Sequence, residues 1–137
     1  DVNAVSFYLL MSTSAHHRFK PTLFVGLNSI EVYPPQYWKK FNPNAEFEKW
    51  AVVEVADFGS IPEGMESMIL PGGRYAVFDY KGPASAAPQI YEYIFRMWLP
   101  TSEYVLDDRP HFAVMGDKYK HDDPDSEEEI WIPVELK

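Results

Sequence analysis

LPGGRYAVFDYKGPASAAPQIYEYIFRMWLP, residues 70–100, decides how this 137-residue chain is read. Pro71, Gly72 and Gly73 mark a turn, and residues 74–80 are rich in aromatic and β-branched side chains, which predicts a strand. Tyr75 and Val77 fall on one face and Ala76, Phe78 and Tyr80 on the other. Both faces are apolar, as in a strand with neighbours on either side. Gly82 and Pro83 close it. Ser85 predicts the N-cap of a helix, with Pro88 tolerated in its first turn. Ala87, Ile90, Tyr91, Ile94, Met97 and Trp98 recur at three- and four-residue steps opposite Gln89, Glu92 and Arg96. The helix is therefore amphipathic and runs to about Leu99, where Pro100 should stop it.

Composition narrows the function classes. The length suits one domain with a substantial core, and a hydrophobic content of 46% excludes general disorder. Aromatic residues make up 16%, high for so short a chain; such side chains either dominate cores or line ligand pockets with flat apolar walls. A formal charge of −9 disfavours direct nucleic-acid binding; it suits cationic ligands or basic partners, and simple solubility is the commoner reason for such a surface. Without cysteine there are no disulfides, thiolate metal sites or thiol nucleophiles. No apolar run is long enough to span a bilayer and no signal peptide is evident, so a cytoplasmic location is expected.

Outward from the central stretch, residues 5–11 predict a short strand followed by a polar segment, in which adjacent His16 and His17 point apart and do not suggest a shared metal. Residues 22–28, TLFVGLN, predict a buried strand. Residues 33–41 place Tyr37, Trp38 and Phe41 at helical spacing behind Pro34 and Pro35. Residues 50–56 predict another strand, with Trp50, Val52 and Glu54 on one face. A mid-strand carboxylate such as Glu54 must be paired, at an edge or facing a cavity. After the helix come a loop at 101–110, a strand at 111–115, an acidic hairpin and a last strand at 129–134. The second half thus reads β-α-β-β. The first half repeats strand and helix, but only eight residues separate Phe41 from Trp50, so one strand is lacking. Segments absent from the numbered chain near 29–32 and 41–44 would account for it. The run DDPDSEEE, residues 122–129, lacks the ligand spacing and glycine of a calcium loop and reads as a solvated hairpin. Phosphate-loop, nucleophile-elbow and HExxH signatures are absent, and no metal or cofactor is expected.

GRYAVFDYKGPAS, WLPTSEYVLDDRP and SEEEIWIPVEL, in that order, resemble the GyrI-like small-molecule-binding domains, which also serve as effector-binding modules of AraC-type and MerR-type bacterial regulators. VGLN, the YWKKF segment and WAVVEVADF…IPEGM extend the likeness through the first half. The resemblance implies an α+β fold: two pseudo-twofold-related β-α-β-β units forming a curved, mostly antiparallel sheet with two helices on one face. The chain is then a single domain over 1–137, with unit one at about 20–70, unit two at about 71–137 and residues 1–19 an N-terminal extension.

The ligand cleft implied by the resemblance lies between the units and is aromatic and acidic. Trp50 and Glu54 on the last strand of unit one correspond to Glu129 and Trp131 on the last strand of unit two. With them, Tyr37, Trp38, Tyr91, Phe95 and Phe112 are the candidate ligand-binding residues. The acid that regulators of this family commonly carry on the strand at 111–115 is replaced by Ala113, leaving Glu54 and Glu129 as counter-charges. The expected function is binding of a small, flat aromatic molecule, neutral or cationic, by a stand-alone cytoplasmic sensor or sequestering protein. Two alternatives stand beside it. One is a hydrolase opening the cyclopropane of DNA-alkylating natural products, with Glu54 or Glu129 activating water and Tyr91 donating to the leaving group. The other is a gyrase-inhibitor-like module binding a basic protein partner.

Overall fold

Eight strands form one sheet in the order β4-β1-β3-β2-β7-β8-β5, with β6 paired to the end of β8. They are β1 (Phe7–Ser12), β2 (Leu27–Val32), β3 (Glu48–Val55), β4 (Met65–Leu70), β5 (Tyr75–Lys81), β6 (Tyr104–Leu106), β7 (His111–Met115) and β8 (Glu127–Leu136). The structure, a computed structural model, describes residues 7–12, 27–39, 45–55, 59, 63 and 65–137. Every ladder among them is antiparallel. The order is symmetric about the β2–β7 pair: β1-β3-β2 on one side matches β5-β8-β7 on the other. These are the two pseudo-twofold-related units of an α+β fold.

Residues 7–12, expected to belong to an N-terminal extension, form β1 and lie inside the sheet between β3 and β4. They supply the strand that unit one lacked on paper. β2 runs without a break through residues 29–32, one of the two places where a join was expected. The other expected join, at 41–44, lies outside the described residues, as do His16, His17 and residues 22–26 of the expected strand.

β5 ends the strand order and is therefore an edge strand among the described residues, not an interior one. Its two apolar faces have separate causes. Ala76, Phe78 and Tyr80 pack under the helix, whereas Val77 on the other face is 40% exposed.

The helical segment begins as a 3-10 turn, Ala84–Ala86, continues as α1, Ala87–Tyr93, widens to a π turn at Ile94–Trp98 and ends in a short α turn at Leu99–Thr101. Ser85 does not cap it through its own hydroxyl. Its backbone N–H instead donates to Asp122 Oδ1 at 3.0 Å, and this bond holds the exposed Asp122 carboxyl below its ordinary value. The acidic hairpin is thus docked on the start of the helix, with Gly82 N–H donating to Ser126 carbonyl at 2.9 Å. Pro100 does not end the segment. Proline removes a backbone donor, and the preceding turn is widened, while Thr101 Oγ1 donates to the Met97 carbonyl at 2.8 Å.

Ile94, wholly buried, packs with Ile130, Ile132 and Val134 of β8. Burying a side chain of that size contributes roughly 1.5–3 kcal/mol. On the other face of the sheet Ile30, Val52, Leu70 and Phe112 form a second cluster. Leu70 ends β4, which is separated from the β7 residue Phe112 by three strands, so the sheet must curl to bring them together.

Among the described residues the helix following β5 is the only helix. Residues 35–39, expected to be helical, form successive turns, with Tyr37 N–H donating to Pro34 carbonyl and Lys39 N–H to Gln36 carbonyl, each at 3.0 Å. Gln36 has φ of 61°, a left-handed conformation that breaks a right-handed helix at its start.

Candidate functional site

Cross-strand pairing determines which side chains share a cavity, because directly paired residues project from the same face. On the helix side one row runs Lys49–Glu31–His111 and the next Ala51–Ser29–Ala113–Ile130. The opposite face carries Trp50–Ile30–Phe112–Trp131, then Val52–Asn28–Val114–Glu129. Both pairs of rows cross the β2–β7 seam between the units.

A recess of about 170 Å³ lies between the helix and this seam, lined by Ser29, Glu31, Lys49, Tyr91, His111, Ala113 and Glu128 among others. At Glu31 and Tyr91 it meets an open groove of about 510 Å³ walled by Tyr33, Trp38, Phe47 and Phe95. Trp38 stacks on Phe95 (4.9 Å, 20°) and on His111 (5.6 Å, 18°), and Tyr33 meets His111 edge-on at 4.9 Å. Tyr37 lies behind, against Trp38 at 5.1 Å and Tyr33 at 4.9 Å. Together these rings form an aromatic wall closed on one side by the sheet.

Two carboxylates enter the same recess. Glu31, 23% exposed, accepts a hydrogen bond from the Tyr33 hydroxyl and lies 3.8 Å from Lys49 Nζ. Burial pushes the Glu128 carboxyl above its ordinary value, against the pull of Lys49. Burial first, and then the charges of Glu31 and Glu128, push the Tyr91 phenol up, so it stays protonated near neutrality and is a donor. Burial pushes His111 down to about 4, so its imidazole is neutral.

The nine expected ligand-binding residues divide between two surfaces. Trp38, Tyr91 and Phe95 line the groove on the helix side, with Tyr37 behind them. Glu54, Phe112, Glu129 and Trp131 line a separate cavity of about 220 Å³ across the sheet. Trp50 packs against the core on that second side, its indole N–H donating to Glu48 Oε2 at 2.8 Å. The three catalytic candidates are consequently not assembled: Tyr91 stands on one face, Glu54 and Glu129 on the other. Glu54 is exposed, and Glu129 already accepts the Trp131 indole N–H at 3.0 Å. The face of Trp131 is covered by Phe112, at 5.0 Å and 22°.

Glu31, Tyr33, Phe47, His111 and Glu128 were not among the expected residues. Glu31 would have emerged from alternation had the strand been extended past Asn28. Glu128 would have emerged from starting the last strand at Glu127, since Glu127, Glu128 and Glu129 then alternate between faces. Ala113 is buried in the recess floor, and Glu31 and Glu128, from the strands on either side of β7, line the same recess. Among the described residues no group of three His, Cys, Asp or Glu is placed to hold a metal ion, and no helix is long and apolar enough to cross a membrane.

The chain is 29% identical over 93 residues to the transcriptional regulator BrlR of Pseudomonas aeruginosa, a stretch covering 67% of this chain and 34% of the regulator. It therefore spans about a third of that relative's length. Its fold is similar to that of SAV2435 bound to tetraphenylphosphonium, with a TM-score of 0.69 at 13% identity, covering 97% of this chain and 91% of that one. A candidate bacterial transcription regulation protein from Staphylococcus aureus MU50 matches with a TM-score of 0.60, also at 13% identity, over 97% and 95% of the two chains. The family model of the GyrI-like small molecule binding domain matches residues 43–135. That match takes in well over half of the sequence, all of β7 and all but the last residue of β8, and the chain belongs to the GyrI-like small-molecule-binding domain family.

Proposed function

We propose that the helix-side recess binds a small, flat aromatic cation, and that the chain acts as a sensor or sequestering module for such molecules. The observation that carries this is the convergence of half-buried Glu31 and Glu128 on a recess that opens, at Glu31 and Tyr91, into a groove walled by Trp38, Phe95 and Tyr33. Ring faces attract cations, and carboxylates held partly out of water supply a counter-charge that solvent does not fully screen. The tetraphenylphosphonium bound by the structurally similar SAV2435 is an aromatic cation, tetrahedral and not flat, and it supports the cationic and aromatic parts of this reading. The cavity across the sheet is the weaker candidate, because it encloses a single carboxylate, Glu129, which accepts the Trp131 indole N–H, whereas Glu31 and Glu128 together line the helix-side recess.

Intrinsic fluorescence reports on this directly, since Trp38 is in the wall. Titration with tetraphenylphosphonium and with planar aromatic cations should quench emission saturably. Trp38→Leu should weaken binding by about tenfold, the order expected for losing a partly desolvated cation–π and stacking partner. An absence of quenching and of thermal stabilisation by every cation would overturn the reading.

A further inference from the structure

We infer that Lys49 is a tethered competitor cation in the recess, one that limits the ligand to a single positive charge and turns away dications of the same shape. This names the charge class of the ligand for the site proposed above and rests on that reading. Lys49 is paired with Glu31 in the β2–β3 register and lines the recess with Glu31 and Glu128. Its Nζ lies 3.8 Å from Glu31 Oε1, while the other oxygen of that carboxylate takes the Tyr33 hydroxyl. Its charge also acts on Glu128, whose carboxyl it pulls down against the upward push of burial. One ammonium therefore serves two carboxylates.

The charges of the site can be counted. Glu31 and Glu128 bring two negative charges and Lys49 one positive, which leaves one negative charge in the recess. His111 is neutral there, and the Tyr91 and Tyr119 phenols stay protonated. In the adjoining groove Glu92 and Arg96 pair at 3.3 Å and cancel. A monocation balances the remainder. A dication leaves an excess positive charge beside the ammonium in a site that solvates it less well than water does. Lys49 is also built to yield and not to seal the site. At 3.8 Å it is beyond hydrogen-bonding distance of Glu31, its side chain is 67% exposed, and its flexible stem lets the ammonium swing into solvent as a ligand enters.

The test compares two biaryl cations of one shape, N-methyl-4-phenylpyridinium and the dication N,N′-dimethyl-4,4′-bipyridinium, by isothermal titration of the intact chain at about 0.15 M salt. Wild type should bind the monocation about threefold more tightly. Lys49→Met keeps the length of the stem and removes its charge. It should tighten the monocation about threefold, a size discounted for the exposure of the lysine, and the dication about tenfold, because the Coulomb energy doubles with ligand charge. The ratio of affinities then falls to near one. Lys49→Arg should keep the wild-type ratio. Lys118→Met, which removes a lysine paired with Glu127 at 3.2 Å outside the recess, should leave both affinities within about twofold. Equal or tighter binding of the dication by wild type overturns the proposal and leaves the cation-binding reading standing. So does a preference that persists in Lys49→Met, because the extra methyl group is then the cause, and so does an equal shift in Lys118→Met, because overall charge is then the cause. Binding of neither cation by wild type or Lys49→Met overturns both the proposal and the reading beneath it.

Discussion

Replacing Arg109 by alanine should lower the unfolding free energy by about 3 kcal/mol, at the low end of what removing one member of a buried ion pair costs. Its side chain is 13% exposed. Nε donates to Asp107 Oδ2 at 2.6 Å, Nη2 donates to the Arg74 carbonyl at 2.5 Å, and the guanidinium lies over the Tyr75 ring at 4.4 Å. These contacts fasten the approach to β7 onto β5. Gly73 makes room for them, since a Cβ there would fall 2.4 Å from the guanidinium carbon. Loss of the side chain strands the Asp107 charge, removes the cation from Tyr75 and opens a void beside β5. Arg109→Lys should recover part of the loss, because an ammonium keeps the charge without the planar fork. Urea unfolding measures both variants. A cost below about 1 kcal/mol for Arg109→Ala would show that the cluster is not a structural anchor. Since His111 follows two residues later, the alanine variant should also bind aromatic cations more weakly.

The stability of the wild-type chain should fall steeply on acidification through a contribution that His111→Phe abolishes. Burial holds His111 down to about 4, against 6.5 in an open chain. Glu31 across the ladder would oppose that shift, but its carboxylate is directed to Tyr33 and Lys49, so burial prevails. Between those two values the unfolded chain takes up a proton that the folded chain does not. Stability is therefore lost as pH falls from 6.5 towards 4, and this group contributes no further loss below that. The loss amounts to about 3 kcal/mol over the window, and at neutral pH His111→Phe should be more stable by about 1 kcal/mol through removal of the unpaired nitrogen. Unfolding curves of both proteins at neutral and acidic pH isolate the difference, because the carboxylates titrate alike in each. Parallel loss of stability in the two would contradict a buried neutral imidazole.

The second half of the fold was legible because its signals are local. Alternation located β7 in full, three- and four-residue spacing located the helix, and β8 was recognised apart from its ends. The first half was harder for reasons visible in particular residues. Pro34 and Pro35 looked like a helix start, yet the left-handed Gln36 turns the chain aside. Residues 7–12 looked like an appendage because their partners, β3 and β4, lie some forty or more residues away. The candidate site was half legible. Alternation sorts each strand into two faces but cannot say which face of one strand joins which face of another. Trp50 and Glu54 were preferred on chemistry, whereas the β2–β7 register places Lys49, Glu31 and His111 on the helix side. His111 opens the strand expected at 111–115, and the rings packed against it, Trp38, Phe95 and Tyr33, come from other parts of the chain.

Neutralising the carboxylates one at a time distinguishes the two faces of the sheet most directly. Titration of one planar aromatic cation into four variants should show Glu31→Gln and Glu128→Gln each weakening binding by about tenfold, as for loss of a partly buried counter-charge, with Glu54→Gln and Glu129→Gln within about twofold of wild type. The reverse order, with Glu54 and Glu129 essential and Glu31 and Glu128 dispensable, would place the ligand across the sheet and contradict the helix-side site.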